Sequence, residues 1–227
     1  MTGEKVVVTG SRGLIGSTVV PALIKKGYDV VEVDKVLGHD LSDEKFVSDF
    51  FKENPYPHLI NLFGFNDHVD QSREASTVYN LPIESFRSSL DVNLTALFLV
   101  CREYAKFNHY GNIINFGAST GIVSARTDMY DGSHKHIGYS VSKAGVIHMT
   151  KILAVHLAPR IRVNCISPGG VEHNQQEEFK KKYGSNTPLK RMLDATEILP
   201  SIFMLLDSQN TYMTGSNIVI DGGWTII

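Results

Sequence analysis

Short runs of β-branched residues that stop at glycine alternate along this chain with longer segments whose apolar residues recur every three or four positions. The first run, Lys5-Val6-Val7-Val8-Thr9, predicts a buried strand, because branched side chains suit a pleated surface. Gly10-Ser11-Arg12-Gly13-Leu14-Ile15-Gly16 follows at once. Thr18 to Lys26 then places Val19, Ala22 and Leu23 on one helical face and closes at Gly27. Asp29 to Val33 is a second strand, ending at Asp34. Leu41-Ser42-Asp43 reads as the cap of a helix through Phe50, and His58 to Leu62 as a third strand. Phe65 to Asn80 is polar and irregular, a loop with a short helix.

Pro82 opens a long helix in which Phe86, Leu90, Leu94, Leu97, Phe98 and Cys101 keep the helical period. Asn93 lies on that apolar stripe, where a buried amide ordinarily satisfies a backbone group. Gly111 to Phe116 is a fourth strand, ending in the small-residue stretch Gly117-Ala118-Ser119-Thr120-Gly121. Tyr139-Ser140-Val141-Ser142-Lys143 opens a buried helix. Ile161 to Ile166 is a strand stopped by Ser167-Pro168-Gly169-Gly170. Ile198 to Leu206 is helical, and Asn217 to Ile220 is the last strand, stopped by Asp221-Gly222-Gly223. This alternation implies an α/β fold, a parallel sheet with helices on both faces.

At 227 residues, 42% hydrophobic and with 22 basic against 24 acidic residues, the chain reads as one ordinary globular domain. The balanced charge recommends neither nucleic acid nor a charged membrane as a partner. No apolar leader precedes the first strand, and Ala96 to Cys101, the longest apolar run, is far too short to span a bilayer. Cys101 and Cys165 sit in apolar segments and suit buried thiols in a reducing cytosol, so a cytoplasmic location is expected.

Two constellations carry chemistry. Strand, glycine turn, helix, strand and then Asp34 is the context that a dinucleotide site requires. Glycines let backbone approach a pyrophosphate, a helix N-terminus offers free amides, and the acid can bind both ribose hydroxyls. Asp40 and Leu41 would lie near the same cofactor edge. The second constellation is Tyr139 and Lys143, four apart and so on one helical face. A cation beside a phenol is expected to lower its pKa from about 10, as a general acid/base for an alcohol needs.

With these pieces in place the chain resembles the short-chain dehydrogenase/reductase family over nearly its whole length. The matching pieces come in the family's order: Thr9-Gly10 with its glycine loop, Asp34, Asn61 with Gly64, Asn93, the Tyr139 to Lys143 motif, Pro168-Gly169, and the ending Tyr212-Met213-Thr214-Gly215 with Val219-Ile220-Asp221-Gly222-Gly223. The resemblance implies a single-domain Rossmann-type doubly wound sheet over residues 1–227, with a nicotinamide cofactor across the carboxyl ends of its strands. It implies NAD(P)-dependent interconversion of a secondary alcohol and a ketone, with Tyr139 as proton donor or acceptor. Lys143 would tune that phenol and hold the nicotinamide ribose, and Asn93 would anchor a relay water. Cofactor contacts are expected from Gly10, Ser11, Arg12, Gly13, Leu14, Ile15, Gly16, Asp34, Asp40, Leu41, Asn61, Gly64, Tyr139 and Lys143, and from Pro168, Gly169 and Val171 at the nicotinamide. Asp34 predicts NAD over NADP, because its carboxylate would repel a 2′-phosphate. Arg12 and Lys35 oppose that, since either could pair with the phosphate. The helix from Pro82 and the Tyr139 helix resemble those that pair subunits in the family, so a homodimer or homotetramer is expected.

Three departures qualify the resemblance. The spacing Gly10-x-x-Gly13-x-x-Gly16 is that of the family's extended, sugar-nucleotide-modifying branch, which leaves open an NAD-retaining epimerase or dehydratase. Asn61-Leu62-Phe63-Gly64 lacks the usual second Asn. Counting from Gly111, the catalytic Ser would fall on Ala118, which also leaves open a cofactor-binding protein of weak activity. Gly117 and Gly121 are expected to give the loop freedom to bring the Ser119 hydroxyl into that place. Extra chain from Ile122 to Gly138, with Arg126, Asp128, Tyr130, Asp131, His134 and His136, suits a hydroxylated substrate such as a sugar or sugar nucleotide. His134 and His136 read as surface residues and no metal is expected. Glu172 to Lys182 is short and charged, with little apolar material for a steroid or long-acyl lid.

Overall fold

The computed structural model describes residues 3–66, 78–130 and 134–227. Six strands form one parallel sheet in the order β2-β1-β3-β4-β5-β6. They are β1 Lys5–Thr9, β2 Asp29–Val33, β3 His58–Asn61, β4 Gly111–Phe116, β5 Ile161–Pro168 and β6 Asn217–Ile220. The helices are α1 Gly16–Lys25, α2 Glu44–Glu53, α3 Ile83–Leu90, α4 Ala96–Phe107, α5 Ile137–Leu157, α6 Glu177–Ser185 and α7 Leu199–Leu206. This is the expected α/β doubly wound sheet. Most of the irregular stretch between Phe65 and Asn80 lies outside the described residues, as does Asp131.

Successive strand side chains point to opposite faces, and that alternation builds two cores. Val7, Leu59, Ile113 and Val163 pack with Val47 and Phe51 of α2, Val100 and Tyr104 of α4, and Val146 and Leu153 of α5. Val6, Val8, Ile60, Ile114 and Ile166 pack with Val19, Val20 and Leu23 of α1 and with Ile202, Leu205 and Leu206 of α7. Truncating a fully buried strand residue such as Ile113 to Ala would cost about 2–5 kcal/mol, from lost burial and the cavity left behind.

The single long helix expected from Pro82 is interrupted. A wider π-type turn over Asp91–Thr95 joins α3 to α4 and slips the helical phase. Phe98 is therefore turned outward, 46% exposed, while Leu97, Val100 and Cys101 take the buried face. The same turn holds Asn93 inward.

A polar seam crosses the sheet beneath the carboxyl ends of the strands. Thr9 Oγ1 donates to Asn61 Oδ1 (3.0 Å), Asn61 Nδ2 to Asn115 Oδ1 (3.0 Å), and Asn115 Nδ2 to Thr150 Oγ1 (3.1 Å). All four residues are buried, and each polar group has a partner, as burial demands. The seam ties β1, β3 and β4 to α5. Both cysteines are free and buried. Among the described residues no helix is long and apolar enough to cross a membrane.

Candidate active site

The strand order turns at β1, with β2 on one side and β3 on the other. Loops leaving those carboxyl ends diverge, and a crevice of about 1220 Å³ opens there. Gly10 leaves β1 at φ +68°, where a Cβ would lie 2.4 Å from the Phe63 amide nitrogen. A Cβ on Gly16 would come within 2.3 Å of Gly10 O, so only glycine lets α1 start against the turn. At Gly13 a Cβ would meet only Gly10 O, at 3.4 Å, and the space beyond belongs to the crevice. The amides of Leu14 and Ile15 donate to no protein acceptor among the described residues. Such donors at a helix N-terminus suit a pyrophosphate.

Asp34 closes this turn. Its Oδ2 accepts from Arg12 N (2.9 Å) and its Oδ1 from Val36 N (3.0 Å). The Arg12 guanidinium is drawn to Glu32 Oε1 at 2.9 Å. Asp40 Oδ1 accepts from the amide and hydroxyl of Ser42, and these bonds hold its carboxyl below the ordinary range. Gly10, Arg12, Gly13, Leu14, Ile15, Gly16, Asp34, Asp40, Leu41 and Gly64 line this end of the crevice. Two expected cofactor contacts are turned inward instead. Ser11 is buried with an unpartnered hydroxyl, and the Asn61 side chain is spent on the polar seam.

At the other end α5 presents Tyr139 and Lys143 to the crevice, beside Ser119, Pro168, Gly169 and Val171. His136 caps α5, its Nδ1 accepting from Tyr139 N at 3.3 Å. An accepting Nδ1 leaves the proton on Nε2, which lies 2.8 Å from Ser85 Oγ and so pins α3 to α5. Lys143 Nζ donates to Phe116 O (2.8 Å) and lies 5.8 Å from the Tyr139 ring centroid. Burial pushes the Lys143 ammonium down to about 8 and the Tyr139 phenol up to about 12. The expected lowering of the phenol by Lys143 is thus absent, because loss of water outweighs a cation turned toward a carbonyl. Asn93 Oδ1 accepts from Phe65 N (2.6 Å), while its Nδ2 donates to Phe65 O (2.8 Å) and Ser142 Oγ (3.0 Å). That amide clamps the chain after β3 to α5 and does not border the crevice.

Ser119 is 5% exposed, and its hydroxyl has no partner among the described residues. The flanking glycines serve close approach rather than freedom. A Cβ on Gly117 would meet Ser167 Oγ at 2.5 Å, and one on Gly121 the Lys143 backbone carbon at 2.6 Å. Beyond Ser119 an aromatic wall forms. Tyr183 stacks on Trp224 with ring centroids 4.4 Å apart, and Phe179 and Tyr130 continue the row. Tyr183 OH also accepts from Gly170 N at 2.6 Å.

A family model described as Enoyl-(Acyl carrier protein) reductase matches residues 22–225. The chain belongs to the short-chain dehydrogenase/reductase family. It is accordingly an NAD(P)-dependent oxidoreductase. The 3-oxoacyl-acyl-carrier-protein reductase FabG of Rickettsia bellii is 27% identical over 100% of this chain and 99% of its own. Post-translational flagellin modification protein A of Campylobacter coli is 34% identical over 152 residues, 64% of this chain and 59% of that protein, so the match spans under two thirds of that relative. A short-chain dehydrogenase of Leptospira borgpetersenii, solved with bound NAD+, superposes with TM-score 0.86 at 30% identity, over 98% of this chain and 92% of its own.

Within this short-chain dehydrogenase/reductase the side chains that sequence reasoning missed are tertiary in origin. α6 is charged outside, yet Phe179 and Tyr183 turn onto the crevice, contrary to the expectation of little apolar material there. Trp224, the lone tryptophan, follows the Gly222-Gly223 turn that aims it at Tyr183, and its rarity was the one signal for it in the sequence. His134 and His136 are not surface residues: His136 is the buried helix cap, and His134 lines the crevice. Lys135 Nζ lies 4.6 Å from the Tyr139 ring centroid on the same wall.

Proposed function

We propose that this enzyme oxidises a secondary alcohol, or reduces the matching ketone, on a compact hydroxylated substrate, using NAD and Tyr139. The observation that carries the reading is the placement of the Tyr139 phenol in the crevice, its hydroxyl with no hydrogen-bond partner among the described residues, between two lysines and beside the unpartnered Ser119 hydroxyl. The crevice fits the cofactor: unpaired amides at the α1 N-terminus, the Asp34 carboxylate and the Lys143 ammonium line one continuous wall. Bound NAD supplies the hydride acceptor. In the reduction direction the ketone gains hydride at carbon and the neutral Tyr139 phenol gives its proton to the oxygen; oxidation is the reverse, with the phenolate form of Tyr139 taking the alcohol proton. Ser119 donates a hydrogen bond to the substrate oxygen as its charge changes. Lys143 orients the nicotinamide ribose, and Asn93 holds the floor by tying Phe65 to Ser142.

Asp34 supports NAD. Arg12, the residue best placed to welcome a 2′-phosphate, is already paired with Glu32. The hydroxylated substrate is supported by His134, Lys135, Asn174 and Gln175 lining the same crevice as the aromatic row, which offers polar groups for hydroxyls and flat faces for a sugar ring. Phe98 of α4 and Val141, Ile152 and Val155 of α5 are all exposed, which supports pairing of subunits through these helices. The test is a screen of sugars, sugar alcohols, nucleotide sugars and a 3-oxoacyl thioester, following nicotinamide absorbance. Net reduction of NAD by a sugar alcohol or nucleotide sugar is expected. Turnover only with the thioester rejects the substrate class, and turnover without net change in NAD moves the enzyme to the epimerase or dehydratase reading.

A further inference from the structure

Lys135 is not part of the Tyr139 to Lys143 motif, yet it stands over the phenol ring, 4.6 Å from its centroid. Its ammonium carries three N–H donors. One goes to Asn66 Oδ1 at 2.8 Å, and among the described residues no carboxylate pairs with the group. It is half-buried in the crevice wall, and loss of water pushes its pKa down to about 8. An ammonium withdrawn from water without a counter-charge is costly, and an anion arriving beside it offsets that cost. The neighbouring residue is incomplete too. His134 Nδ1 is 2.8 Å from the Lys135 carbonyl, to which it must donate, so in the neutral ring Nε2 is an acceptor, and it is buried without a partner among the described residues. Thr120 Oγ1, on the same crevice, is also unpartnered.

We propose that Lys135 binds a carboxylate on the substrate, next to the carbon that reacts at Tyr139, so that the enzyme acts on a hydroxylated acid such as a sugar acid. This rests on the oxidoreductase reading above. A hydroxyl of the same molecule completes His134 Nε2, and the aromatic row supports its carbon skeleton. A carboxylate fits better than a phosphate monoester. A single lysine matches one negative charge, whereas a phosphate carries about −1.5 to −2, and the nearby Arg126 already has Asp128 at 3.8 Å. Lys135 is thus a specificity residue, distinct from Lys143, whose ammonium is committed to Phe116 O.

The experiment uses the full chain and two readouts. NADH binding by fluorescence comes first; its loss would overturn the oxidoreductase reading itself. On NADH-competent protein, calorimetric titration then compares D-gluconate, D-glucitol and 6-phosphogluconate, for wild type, Lys135→Met and Lys135→Arg. Wild type is expected to prefer gluconate over glucitol by roughly 10- to 100-fold, the worth of a charge-assisted hydrogen bond. Lys135→Met should erase that preference with NADH binding unchanged, and Lys135→Arg should restore part of it. Equal binding of acid and polyol, no binding of either, or a preference that survives in Lys135→Met overturns the proposal. A preference for 6-phosphogluconate over gluconate that is lost in Lys135→Met would show the lysine holding a phosphate and overturns the carboxylate assignment. A pH profile of turnover displaced equally for acid and neutral substrates in Lys135→Met would assign the lysine to Tyr139 instead, and the proposal would fall.

Discussion

At the glycine-turn end the crevice is walled by the turn after β1, Gly10 to Gly16, and the stretch after β2, Asp34 to Ser42, with Gly64 beside them. At the Tyr139 end it is walled by side chains drawn from α5, the turn after β4, the segment before α5, α6 and the C-terminal turn at Trp224. The first end is assembled by local geometry, with two crowded glycines and amides left over at a helix start. The second exists only once segments far apart in the chain have packed. A backbone-built cradle is insensitive to most substitutions. A wall of side chains can be rebuilt one residue at a time, which lets a common cofactor end serve different substrates.

That contrast predicts separable effects. Tyr139→Phe should lower turnover by roughly 10²–10⁴-fold, the usual worth of a general acid/base, while NADH fluorescence titration shows affinity within about twofold of wild type. A parallel collapse of NADH affinity would show that the two ends are one unit. Ser119→Ala should cost roughly 10²-fold in kcat, again with cofactor affinity kept. Full activity with an identified substrate would remove Ser119 from the site and point to Thr120 or the 122–138 segment.

Lys143 belongs to both ends, so Lys143→Met should damage turnover and cofactor binding together. It should also stabilise the protein. The unfolded chain holds the lysine proton up to the ordinary 10.5, while the folded chain releases it near 8. Ionised Lys143 therefore costs stability below pH 8, and the cost fades as pH rises toward 10.5. Less the lost bond to Phe116 O, the Met variant should gain about 2 kcal/mol at pH 7. Chemical denaturation at pH 7 and pH 10 tests this, and a gain that does not shrink at the higher pH contradicts it.

Asp34→Ala sharpens the comparison from the other side. It should shift the NAD to NADP affinity ratio by about tenfold toward NADP, with turnover at saturating cofactor little changed. Tighter NADP binding in the unaltered enzyme would reject the role given to Asp34. The smallest effect is structural: His136→Ala removes the α5 cap and the link to Ser85, and should cost about 1–2 kcal/mol in urea unfolding. No loss of stability would mean that α5 is positioned without it.

The strands, most helix positions and the glycine turn after β1 were legible in the sequence because each is set within a few residues. Branched runs make strands, Gly10 and Gly16 occupy places where a Cβ would collide with backbone, and Tyr139 and Lys143 share a face by helical period alone. Position along the chain could not show that the turn at 91–95 rotates Phe98 outward, that Asn61 is consumed by a seam through Asn115 and Thr150, or that burial would raise the Tyr139 phenol rather than lower it. These outcomes depend on what lies across the sheet. Desolvation and hydrogen-bond partners come from residues tens of positions away, so only the packed structure decides them. The same holds for Lys135, whose place over the Tyr139 ring follows from how its segment packs, not from its spacing in the chain.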